Sequence, residues 1–347
     1  MDKKTYIILV VIAVIILVGV YSIYSNKNKE KDEYYKISIE EWPAWKPMID
    51  ANGGLKTKEG SLYDKMGLKI EFVIMPDQSA SSSAIIKGDT IGGTYTVPRL
   101  AFLQDKFDSA NTDVVIPYIS NYSNGSDGVV SKFEINSMRD LIGKKVAISK
   151  YTDAGIVFEW FLHNTGLTKE EQKKIHDDAV YIEDPETAAK ACYSGEVDAA
   201  TTWEPLMTQS DMSKNYKVLY STAMHTEILL NGVVFRKDFA DNSPEWMKKF
   251  IIGNLIMGKQ YKGDLQYIRE LPLCAEMSDE EIIDILNTAG FPTLEENRSL
   301  LVSGAIQSYK DACEIWADLN EVVHPNKAEV NFTDEFLPTD AEVEKWQ

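Results

Sequence analysis

"YSGEVDAATTWEP", residues 193–205, reads as the last turn of a helix, a stop at Gly195, a short strand of small residues and then an abrupt aromatic, acid and proline. Glycine adopts the left-handed conformation that ends helices at little cost, and the small side chains of "VDAATT" let helices lie close over the strand. A helix that passes straight into a buried strand is the repeating unit of α/β folds. In such sheets ligands collect beyond the carboxyl ends of strands, which is where Trp203 and Glu204 fall.

Working outward, the same alternation begins at Lys36. "KISIEEW", "LKIEFVIM" and "DTIGGTYT" read as strands, separated by helical stretches near "WKPMIDANGGL" and "SASSSAIIKG"; "VPRLAFLQD" is a helix with Pro98 in its first turn. Turn formers cluster in "NYSNGSDG", residues 121–128, and a second α/β unit continues to about residue 228. "EILLNGVVFRKDF" reads as a return strand, and the chain beyond it is mainly helical, including one long helix over "EENRSLLVSGAIQSYKDACEIWADLN". A length of 347 residues suits two lobes. The acidic segment 331–347 reads as a loosely packed tail.

The 36 basic and 54 acidic residues give a formal charge of -18, which repels nucleic acid at long range and sets that class of partner aside. Cys192, Cys274 and Cys313 form no CxxC pair, and the four histidines show no ligand spacing, so neither a metal site nor a cofactor is expected. A Cys274–Cys313 disulfide stays open beside three buried thiols. No GxSxG elbow, Walker loop or GxGxxG after a strand occurs.

After a leader of residues 1–5, "YIILVVIAVIILVGVYSIY" (6–24) is uncharged for nineteen residues, long enough for about 28 Å of helix and thus for a bilayer. It exceeds the usual apolar core of a cleaved signal peptide, so an uncleaved anchor and then a polar linker, 25–35, are expected. Lysines flank both ends, and charge alone does not orient it.

The residues at and just beyond the strand ends are the candidate ligand-binding set: Trp42 and Trp45 after the first; Gly93, Thr94 and Tyr95 around the third; Tyr122, Asn124 and Asp127 at the crossover; Tyr151, Thr152 and Asp153 at a helix start; and Trp203 with Glu204. Aromatic walls with hydroxyls and helix N–H groups suit a small polar molecule held between two lobes. Each residue also has a plain structural role open to it: the tryptophans as core, the glycines as turns, Thr152 as a helix cap.

The order "DGVVSK…INSMRDLIGKKVAIS" and then "TAAKACYSGEVDAATTWEP" resembles the nitrate, taurine, aliphatic-sulfonate and thiamine-precursor group of ABC-transporter solute-binding proteins, over about 36–240 and more loosely to 325. The resemblance implies a two-lobe α/β periplasmic-binding-protein fold of type II, a Venus flytrap. Lobe 1 would comprise 36–120 plus 230–330 and lobe 2 residues 125–226. It further implies a monomer that binds its ligand in the cleft and delivers it, outside the cytoplasm, to a membrane permease driven by a separate ATPase. The retained N-terminal helix departs from the secreted or lipid-anchored members. Glu204, Asp153 and Asp127, with no arginine in the predicted cleft loops, favour a zwitterionic or nitrogen-bearing ligand over a simple oxyanion. Two rival readings are a tethered scaffold with a vestigial cleft, and an enzyme like the pyrimidine synthase of thiamine biosynthesis, whose cysteine-rich iron motif has no counterpart in the scattered cysteines here.

Overall fold

A computed structural model describes residues 34–208 and 214–347. The expected leader, the span 6–24 and the linker up to residue 33 lie outside the described residues. Among the described residues no helix is long and apolar enough to cross a membrane.

The described residues form twelve strands: β1 (Tyr35–Ile39), β2 (Ile70–Ile74), β3 (Gly92–Thr96), β4 (Val114–Val115), β5 (Ile119–Ser123), β6 (Asp127–Lys132), β7 (Val146–Ile148), β8 (Val180–Tyr181), β9 (Ala199–Trp203), β10 (Tyr216–Ser221), β11 (Leu230–Arg236) and β12 (Ala289–Gly290). Helices that bear on the site are α1 (Lys46–Asn52), α2 (Gln78–Lys87), α3 (Val97–Ser109), α4 (Asp153–Asn164), α5 (Pro185–Tyr193), α6 (Pro244–Gly258), α7 (Asp279–Asn287) and α8 (Ala305–Asp318).

One sheet has the order β12-β5-β11-β3-β1-β2, with β4 against β11; the other runs β10-β6-β9-β7-β8. β1 is parallel to β2 and β3, and β7 to β8 and β9, as strand–helix alternation requires. The sheets are nevertheless mixed: β11 is antiparallel to β3 and β5, and β6 to β9 and β10. The chain passes between sheets from β5 to β6 and from β10 to β11. A strand entering a lobe after a crossing starts at the cleft, whereas β1, β3 and β9 end there, so the entering strand must run the opposite way.

The sheet strands of the first lobe bury Ile37, Ile39, Ile70 and Phe72 against α1 and α6, while α3 and α8 cover the other face with Leu100, Phe107, Tyr309 and Trp316. In the second lobe Val130, Ala147 and Ala200 pack under α5 through Ala188 and Cys192. The small residues of β9 therefore admit close helix cover. All three cysteines are buried free thiols.

The expected long helix after residue 293 is present, running without interruption from Leu294–Ser299 through a π-helical turn, Leu300–Gly304, into α8. One expectation is corrected. The acidic C-terminal segment is packed, because Phe332, Phe336 and Val343 are each buried and Phe332 bridges to Ile116 beside β4. Apolar residues spaced among the acids hold it down.

Candidate functional site

A cavity of about 670 Å³ opens between the two sheets. The first lobe supplies Glu40, Glu41 and Trp42 beyond β1, Trp45 in the turn before α1, Thr96 at the end of β3, and Leu229 and Asn231 where β11 begins. Its helical part adds Leu273, Met277 and Ile285. The second lobe supplies Asp127 at the start of β6, Asp153 and Glu186 in the first turns of α4 and α5, and Trp203 to Leu206 beyond β9. Asp127 and Trp203 are register partners on adjacent strands.

The carboxylates are held by neutral donors. Gln78 Nε2 donates to Glu40 at 2.8 Å, Ser123 Oγ to Asp127 at 2.7 Å and Thr96 Oγ1 to Asp153 at 2.9 Å. Thr208 donates to Glu204 through its backbone N–H and its hydroxyl. Burial pushes the Glu40 carboxyl from 4.5 up to about 8, with the Asp153 charge adding to it and the Gln78 hydrogen bond opposing. Burial likewise raises Asp127 from 3.8 to about 7, helped by Asp153 and Glu204. Asp153 is raised by burial as well, with Arg99 and the Thr96 hydroxyl opposing. Removing a charged form from water disfavours it, and the neighbouring carboxylates compound the effect.

Six of the thirteen residues expected at the site line this cavity: Trp42, Trp45, Asp127, Asp153, Trp203 and Glu204. The other seven lie elsewhere. Gly93 is a packing residue: a Cβ there would meet Ser81 Oγ at 2.3 Å and Ser38 Oγ at 2.4 Å, so its bareness lets α2 sit on the sheet. Thr94 accepts from the Glu40 backbone N–H, and buried Tyr95 turns to the α2 side, bonding Ser82 Oγ at 2.7 Å. Tyr122 packs on Gly290, where a Cβ would lie 2.0 Å from its ring. Asn124 is exposed and its N–H donates to the Thr288 carbonyl. Tyr151 stacks on Trp316 and donates to Glu321, outside the cavity. Thr152 caps α4, accepting from the Gly155 N–H.

Sequence reasoning passed over Glu40, Thr96, Glu186 and Asn231, and noted Glu41 after the first strand without placing it in the candidate set. Glu40 was legible as the residue after a strand; Asn231 was not, since it begins a strand and reaches the cleft only because β11 runs antiparallel. Leu273, Met277 and Ile285 come from the helical part, where strand ends give no signal.

Comparisons with known proteins bear on the family and the fold. The profile of the family described as NMT1/THI5 like matches residues 55–253. No curated protein matches the chain in sequence. The periplasmic aliphatic sulphonate-binding protein SsuA from Escherichia coli is similar in structure, with TM-score 0.64 at 16% identity over 88% of this chain and 99% of that one. The periplasmic nitrate-binding protein NrtA from Synechocystis PCC 6803 gives 0.59 at 13% over 90% and 84%. The alkanesulfonate-binding protein SsuA from Xanthomonas axonopodis pv. citri, bound to MOPS, gives 0.56 at 14% over 85% and 97%. The architecture is the α/β two-lobe type II periplasmic-binding-protein fold.

Proposed function

The chain belongs to the NMT1/THI5-like family, and on that footing we propose that it is the solute-binding component of an ABC importer, capturing a small polar molecule between its lobes. The observation that carries this is the cavity itself: about 670 Å³, walled by both lobes, with three tryptophans and several oriented polar groups. That size and mix suit an organic solute. The thiols of Cys192, Cys274 and Cys313 are buried in the cores and none lines the cavity, which favours binding over sulfur-based chemistry.

In this reading the apolar stretch 6–24 tethers the body outside the cytoplasm, beside a permease that takes the solute as the lobes open and a separate ATPase that drives transport. The body acts as a monomer. Thermal melting of the full-length chain against a panel of small metabolites tests the binding role. A saturable rise in Tm that grows with concentration is expected for at least one compound. A flat response from well-folded, empty protein would move the chain to the scaffold reading with a vestigial cleft.

A further inference from the structure

We infer that the occupant of this cleft is an organic cation: a protonated amine, amidine or N-heterocycle on an apolar or aromatic body, its charge met by Asp127, Glu40 and Asp153 and its body seated among Trp42, Trp45 and Trp203. The inference rests on the cleft being a solute site and names the class of solute.

Among the described residues the cavity wall carries six carboxylates, Glu40, Glu41, Asp127, Asp153, Glu186 and Glu204, and no lysine, arginine or histidine. Arg99, whose charge bears on Glu40 and Asp153, is engaged elsewhere: its guanidinium donates to the Tyr151 carbonyl and lies over the Phe102 ring. Lys190 pairs with Glu186 on the same helix. Glu40, Asp127 and Asp153 enter no ion pair among the described residues and take hydrogen bonds only from an amide and two hydroxyls. An anion here would have to sit among carboxyl groups with no unpaired cation among the described wall residues to hold it. A cation would complete the site.

A second, independent observation points to a ligand. Trp45 and Asn231 both line the cavity and are only 2% and 5% exposed, yet Trp45 Nε1 and Asn231 Oδ1 have no hydrogen-bond partner. Buried polar atoms are normally paired; Asn231 Oδ1 is an acceptor that an N–H of the ligand would satisfy, whereas the Trp45 indole N–H calls for an acceptor on the ligand body and does not itself favour a cation. Three indole rings around one volume are the means by which proteins hold charged nitrogen on a π face. A metal ion is a poorer fit: among the described residues no three His, Cys, Asp or Glu side chains come together in a metal-holding group. The apolar share of the wall, with Leu229, Met277 and Ile285, asks for a ligand with a carbon body.

The test is calorimetric titration of the full-length chain, in detergent at low salt, with three sets of probes. Benzamidine, phenethylammonium and putrescine are the cations; benzamide and 2-phenylethanol are neutral isosteres; benzenesulfonate and nitrate are anions. Saturable binding of a cation, at least tenfold weaker for its neutral isostere and at least tenfold weakened by Asp127→Asn with the Tm of the empty protein retained, is the expected result. Should Asp127→Asn lower that Tm, Glu40→Gln gives the same reading from the other lobe. Binding confined to the anionic or neutral probes would overturn the cation assignment and leave the solute-binding role standing. No binding by any set, nor by the wider metabolite panel, would overturn both.

Discussion

Thr96 Oγ1, at the end of β3 in the first lobe, donates a 2.9 Å hydrogen bond to Asp153 Oδ1, at the start of α4 in the second. The same hydroxyl accepts from the Arg99 N–H and so caps α3. One side chain thus ends a strand, starts a helix and joins the lobes at the cavity wall. Thr96→Val keeps the shape and removes both bonds. A loss of about 1 to 2 kcal/mol in stability is expected from the cap and the unpaired carboxylate. Ligand affinity should fall with it, while Thr96→Ser behaves as wild type. Melting curves and titrations of the pair check this; wild-type behaviour from the valine variant would remove the contact from any role.

The raised carboxyls make the empty protein sensitive to pH. Glu40 titrates near 8 when folded against an ordinary 4.5, and Asp127 near 7 against 3.8. Below the ordinary values both are protonated folded or unfolded, and contribute nothing to the pH dependence. Above them the unfolded chain releases protons that the folded one retains, so stability falls with rising pH until the folded values are passed. The slope is about 1.4 kcal/mol per pH unit for each group held protonated. Denaturant melts between pH 5 and 8.5 should show a decline that Glu40→Gln makes shallower. The groups facing Glu40 are Asp153, Asp77, Arg99 and Gln78, and those facing Asp127 are Asp153, Glu204 and Ser123; Asp153 is itself raised by burial and so acts in the same direction.

Proton linkage on binding gives a separate sign. A cation stabilises the ionised carboxylates, so binding near pH 7 should release protons and tighten as pH rises from 6 to 8. An anion would do the reverse. Calorimetry in two buffers of different ionisation enthalpy reads the direction, and proton uptake would contradict a cationic ligand.

Gly93→Ala should destabilise the fold by about 1 to 3 kcal/mol without a specific effect on binding, since the new methyl would strike Ser38 and Ser81, which hydrogen-bond each other at 2.6 Å. A variant of normal stability and lost affinity would return Gly93 to the ligand site. This residue also shows what the sequence conceals. A strand end with glycine, threonine and tyrosine looks like a ligand loop, but strand alternation sends Tyr95 to the α2 side and leaves Gly93 under Ser81. Only Thr96, one residue further on, reaches the cavity. Where the chemistry sits at the end of a strand or just past it, as with Trp42, Trp203 and Glu204, the rule of carboxyl ends suffices. Where it sits at the start of a strand, as with Asn231, the direction of β11 has to be known first.

Trp203 decides whether the end of β9 holds ligand or merely packing. It is half-buried, lines the cavity and belongs to none of the packed apolar cores, and its carbonyl accepts from the N–H groups of Leu206 and Met207 whatever its side chain. Trp203→Ala should therefore leave the backbone turn in place and lower Tm by little. The loss falls on binding instead: a cation–π contact of about 1 to 2 kcal/mol plus the apolar area of the ring, or at least tenfold in Kd. Trp203→Phe keeps a π face and should recover much of it. If the alanine variant melts many degrees lower while its affinity is unchanged, the ring is a packing element, and the wall of the cleft has to be redrawn around Trp42 and Trp45.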